Sequence, residues 1–178
     1  MVTFQIPDRV IDVYVLFLQT FDAVSRYTET ELLKAGISYT QYSVLVLLDN
    51  TPVPLTLTEL SRWMFRSKNS MTTVIDHMER DGLVQRVRDT KDRRAIRVVA
   101  TEAGRDLFDR VRQPSRDLVY RIMSCFDHED LSQFSELLQR IRRHTLQELA
   151  RGNSHDLPAG PNTFEAGSHA ASHNRGRR

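Results

Sequence analysis

The sequence predicts a mainly α-helical fold with one small β-rich hairpin, and three features carry that prediction. Apolar residues recur at spacings of three and four through most of the chain, as one buried face of a helix requires. Ser38 with Gln41, and Thr56 with Glu59, have the spacing of capping boxes, in which two polar side chains satisfy the first free backbone N–H groups of a helix. Two β-rich runs, 83–89 and 95–101, flank the charged turn Thr90-Lys91-Asp92-Arg93-Arg94.

Taken in order, Asp8 is placed to cap a long first helix carrying Val10, Val13, Tyr14, Phe17, Leu18 and Phe21, with Gly36 as its stop. The Ser38 box opens a second helix through Val44, Leu45, Leu47 and Leu48, which Pro52 and Pro54 end. The Thr56 box opens a third, short helix with Leu60, Trp63 and Met64 on its inner face. Ser67 can cap a fourth, where Met71, Val74, Ile75 and Met78 share a face before Gly82. The two β-rich runs then form a two-stranded wing. Thr101 and Glu102 begin a long helix carrying Leu107, Phe108, Val111, Leu118 and Ile122, which Pro114 should kink or split. Asp127 and Asp130 cap a last helix with a wide apolar stripe from Leu131 to Leu149.

A chain of 178 residues, 40% of them hydrophobic, is about one domain in size and can bury a core. It contains no run of about eighteen apolar residues, and MVTFQIPDRV lacks the residue order of a secretory signal, so a cytoplasmic protein with no membrane partner is expected. Cys125, the lone cysteine, excludes an internal disulfide and reads as a packed core residue within the apolar stretch 122–126. The net charge of +2 says little, but its distribution says more. From Arg62 to Arg97 ten basic residues face five acidic ones, while the rest of the chain is net acidic.

Two short helices, a helix with a polar outer face, and a hairpin make a winged helix-turn-helix arrangement, which lays one helix in the major groove of DNA. The first turns of that helix would meet base edges. Here they hold Ser67, Lys68, Asn69, Ser70, Thr72 and Thr73, all able to donate or accept hydrogen bonds. A solvated helix face is the plainer reading of the same residues. The hairpin favours DNA, because its tip carries Lys91, Arg93 and Arg94, of which one arginine suits a narrow minor groove, with Asp92 beside them to hold the tip in shape.

These residues also resemble a known family. The order Gln41, Val44-Leu45, Glu59-Leu60-Ser61, then Asp76 to Val84, Arg86, Asp92-Arg93-Arg94 and Thr101-Glu102-Ala103-Gly104 is similar to that of MarR-type regulators, from about Ser38 to Gly104. The flanking helices agree in number, so the likeness extends from about Asp8 to Gly152. It implies a homodimer whose first and last two helices interlock and whose winged domains bind a pseudo-palindromic site on double-stranded DNA. It also implies that Arg94 enters the minor groove, that Asp92 braces it, and that Lys68 to Thr73 begin the recognition helix. Thr73 stands where the family often has arginine, and Ala100 where leucine is usual.

The domain reading follows: 1–36 and 105–152 as a helical dimerisation region, 37–104 as the winged DNA-binding domain, and 153–178 as a disordered tail. The terminal stripes carry more apolar surface than a lone small domain can cover, which agrees with a dimer. A small aromatic effector is a further expectation, with Tyr14, Phe17, Tyr39, Tyr42 and Trp63 as its lining, although core packing explains those residues equally well. The six histidines show no metal-site spacing, and no paired nucleophile and base or glycine-rich phosphate loop occurs, so no cofactor, metal or enzyme is expected. The leading function is sequence-specific transcriptional regulation, most simply repression. An architectural or protein-interaction role without sequence choice is the alternative.

Overall fold

The computed structural model describes residues 8–89, 92 and 94–152. Lys91, Arg93 and the tail 153–178, all the subject of expectations above, lie outside them. The elements run α1 (Arg9–Lys34), α2 (Tyr39–Asn50), β1 (Leu55–Thr56), α3 (Leu57–Trp63), α4 (Lys68–Arg80), β2 (Val84–Arg88), β3 (Ile96–Ala100), α5 (Glu102–Met123) and α6 (His128–Gly152).

The helix starts follow from their caps. The Asp8 carboxylate accepts from the N–H groups of Val10 and Ile11. Both capping boxes close, with Ser38 N–H donating to Gln41 Oε1 at 3.0 Å and Thr56 N–H donating to Glu59 Oε2 at 2.7 Å. At α6 the box is built from two aspartates, Asp130 N–H donating to Asp127 and Asp127 N–H to Asp130. Gly36 and Gly82 end α1 and α4 with φ of +80° and +72°, a backbone that glycine adopts without steric cost.

The sheet has three strands, not the two expected of a bare wing. Its order is β1-β3-β2, all antiparallel, with Leu55 opposite Val98 and Val84 opposite Ala100. A two-residue strand carries no alternation to read, and Pro52 and Pro54 disguise it further. Arg97 on the neighbouring strand β3 fixes it, donating from Nη1 to Pro54 O at 2.6 Å.

Pro114 does not split the long helix: α5 is continuous from Glu102 to Met123. The proline removes one N–H, but it lies on the exposed side, where water can serve the carbonyl left without a donor. Val111, Ser115 and Leu118 on the other side are buried and hold the helix in place.

The core lies where α2, α3, α4, the sheet and the start of α5 meet, around Val44, Leu45, Leu60, Met71, Ile75, Met78, Val84 and Val98. The terminal helices are different. Val10, Phe21 and Leu137 are 78%, 62% and 57% exposed, so the apolar faces of α1 and α6 are uncovered within one chain. Cys125 is also exposed, correcting its assignment to the core. It follows the end of α5, where Phe126 rather than the thiol finds an apolar partner, stacking on Phe134 at 5.3 Å. Among the described residues no helix is long and apolar enough to cross a membrane.

Candidate nucleic-acid interface

Helix α4 is amphipathic in the sense a groove-binding helix needs. Met71, Ile75 and Met78 anchor one face in the core, while Lys68, Asn69, Ser70 and Thr73 are exposed and Thr72 is half-buried. Ser67 caps the helix, its Oγ accepting from Ser70 N–H at 3.2 Å. The hydroxyls of Thr72 and Thr73 donate back to the carbonyls of Lys68 and Asn69, at 2.9 and 3.2 Å. Both threonine protons are thereby spent, leaving those oxygens as acceptors.

The wing is tied to α4 by one arginine. Arg86 on β2 donates from its backbone N–H to Glu79 Oε1 at 2.9 Å, from Nη1 to Glu79 Oε2, and from Nη2 to Asp76 Oδ1 at 2.6 Å. Burial opposes the charge on Arg86, but its hydrogen bonds to Asp76 and Glu79 outweigh that and raise its pKa above the ordinary arginine value. Two carboxylates one helical turn apart thus lock the outer face of α4 to the hairpin. Sequence reading quoted Arg86 without a role. The available signal was the i, i+3 acid pair followed by an arginine in the next strand.

At the other end of the hairpin Arg97 forms an ion pair with Asp89, which is the main cause of its raised pKa, and a longer one with Glu59 at 3.7 Å. The tip is shaped by backbone bonds. Asp92 N–H donates to Asp89 Oδ1 at 2.9 Å, and Asp92 Oδ1 accepts from Arg94 N–H at 3.0 Å. Asp92 therefore braces the tip through the main chain of Arg94, and Arg94 is exposed.

Thr101 and Gly104 join the wing to the long helix. Thr101 Oγ1 accepts from Gly104 N–H at 3.1 Å and donates to Gly82 O at 2.5 Å, linking the start of α5 to the end of α4. A Cβ on Gly104 would lie 2.0 Å from the carbonyl oxygen of Leu83, so only glycine lets α5 pass there.

The five aromatic residues assigned to an effector do not gather. Tyr14, Phe17 and Tyr39 are exposed, Tyr42 packs on Phe108 with ring centres 6.0 Å apart, and Trp63 packs against the core. A cleft of about 290 Å³ lies elsewhere, between the end of α2, β3 and the start of α5, lined by Asp49, Pro52, Val98, Ala100, Arg105 and Phe108 among others. Among the described residues no group of three or more histidine, cysteine or acidic side chains could hold a metal ion.

Residues 37–96, which span α2 to the first residue of β3, match the model of the MarR family. That stretch, the helix-turn-helix and most of the wing, is of the MarR family. The chain is accordingly a DNA-binding transcriptional regulator and not an enzyme. It is 26% identical over 144 residues to the uncharacterized HTH-type transcriptional regulator YkoM of Bacillus subtilis, covering 81% of this chain and 93% of the relative. The homoprotocatechuate degradative operon repressor of Escherichia coli is 25% identical over 146 residues, with the same coverage. Among solved structures, the MarR family regulator Sco3205 of Streptomyces coelicolor, crystallised in complex with DNA, shares the fold with a TM-score of 0.74 at 21% identity. That match covers 89% of this chain and 97% of Sco3205.

Proposed function

We propose that this protein acts as a homodimeric, sequence-specific repressor that binds a pseudo-palindromic operator and is released by a small aromatic effector. One observation carries the DNA-reading part. The exposed first turns of α4 and the wing are held at a fixed separation by Arg86, so a major-groove contact and a minor-groove contact are set together. Lys68, Asn69, Ser70, Thr72 and Thr73 meet the base edges, Ser67 sets the helix start, and Arg93 and Arg94 meet the minor groove with Asp92 shaping the tip. Segments 1–36 and 105–152 supply the dimer contact, supported by the uncovered apolar faces of α1 and α6. The protein works in the cytosol, beside the DNA it regulates.

The effector proposal has one support. The E. coli relative is named for an operon that degrades an aromatic acid. The aromatic residues do not gather within one chain, so the proposal requires a second copy to bring the exposed Tyr14, Phe17 and Tyr39 beside Tyr42 and Trp63.

The test measures variant affinities on duplexes selected from a random-sequence library by the wild-type protein. Arg94→Ala should weaken binding to all selected duplexes, and Lys68→Ala and Asn69→Ala should change which sequences are preferred, each by about 1–3 kcal/mol at the positions read. Unchanged affinity and preference in all three would contradict the assignment.

A further inference from the structure

Phe65 lies in the turn between α3 and α4 with φ of +50°, the one positive φ on a non-glycine residue among those described. A bulky side chain is a strained occupant of that backbone, and its ring is not hidden in the core to compensate: Phe65 is 47% exposed. The ring lies instead under a residue from the far end of the chain. The guanidinium carbon of Arg142, on α6, stands 5.8 Å from the Phe65 ring centre, within the range of a cation–π contact.

The place of that contact on α6 is equally specific. From His128 to Arg151 every residue of the helix is exposed except Arg142 and Leu146, one turn apart. So, beyond the stacking of Phe134 on Phe126 beside its start, burial on α6 is confined to a short patch, and Arg142 in that patch meets the turn that leads into α4. That turn is otherwise stiff. Phe65 N–H donates to Arg62 O, Arg66 N–H donates to Ser61 O, and Arg66 Nη2 reaches Thr40 Oγ1 on α2. Ser67, two residues after Phe65, caps α4. A displacement of the Phe65 ring is therefore passed to the first turn of α4 through a short, hydrogen-bonded segment.

We propose that Phe65 and Arg142 are positioning residues for DNA binding, forming a contact through which α6 sets the pose of α4. This rests on the reading of α4 as the helix that enters the groove. Arg142 steadies the ring from one side, and the strained turn converts the position of α6 into the orientation of Lys68 and Asn69.

The experiment measures the affinity of full-length variants for one duplex selected by the wild-type protein, together with salt dependence, melting temperature and oligomeric state. Arg142→Ala and Phe65→Leu should each lower affinity about 3- to 10-fold, and the double variant should be no weaker than the worse single one. The salt slope should stay unchanged, because neither residue neutralises a phosphate. Phe65→Gly, which relieves the positive φ, should hold or raise the melting temperature and still lose affinity. Full affinity in the single variants, additive losses in the double variant, a reduced salt slope for Arg142→Ala, or losses that follow the melting temperature would each overturn the proposal. Arg94→Ala and Lys68→Ala, measured alongside, separate the two readings. If they weaken binding and the Phe65 and Arg142 variants do not, only this proposal fails.

Discussion

A carbonyl oxygen 2.0 Å from the position of an absent Cβ makes Gly104 the least replaceable residue of the wing junction. Gly104→Ala should cost about 1–3 kcal/mol, because the atom in the way is backbone and cannot rotate aside. Denaturant unfolding of the two proteins checks this. Glu59 offers a pH-dependent counterpart. Its pKa is lowered chiefly by the hydrogen bond from Thr56 N–H, against the opposing effect of burial. A lowered carboxylate contributes stability that is complete above its unfolded pKa, about 4.3, and is lost as pH falls through the native value. Wild type should therefore exceed Glu59→Gln in stability at neutral pH, by less than about 1 kcal/mol for so exposed a group, and the gap should close under acid conditions. Unfolding curves from pH 7 downward measure it. Both residues were legible as motif members in the sequence, since capping is local. The route by which Asp92 braces the wing was not, because a backbone acceptor and an ion-pair partner look alike in sequence.

Elements were legible where their ends were written in polar side chains. Asp8, Ser38, Thr56, Ser67 and Thr101 all cap the helices they precede. Strand β1 was missed because its two residues are defined by a partner about forty residues away, opposite Val98 and Arg97. Cys125 was misplaced because its apolar neighbours do not announce that the helix has ended. Pro114 is expected to kink or split α5, and the helix is not split, because the exposed side of a helix held by Val111, Ser115 and Leu118 tolerates a missing N–H. Restoring that donor with Pro114→Ala should raise stability, by up to about 3 kcal/mol, as a higher melting temperature. An unchanged or lower value would mean that the proline sets a bend that the assembled protein requires.

At the scale of the whole molecule, the core of the winged domain is complete within one chain, whereas α1 and α6 expose the apolar faces that a second copy would cover. Sequence patterning alone announced those stripes, but whether they fold back or face outward is a tertiary matter that spacing does not encode. The arrangement sets helix α4, a wing locked to it by Arg86, and the long helices α1, α5 and α6 in one chain. The proposed repressor must prefer its operator strongly over other DNA, because competing sites are far more numerous. The most direct test compares the affinity of the full-length protein for its selected duplex with that for random duplex at physiological salt. The account predicts at least about a thousandfold preference. A ratio near one would contradict it, leaving a protein that holds DNA without reading it.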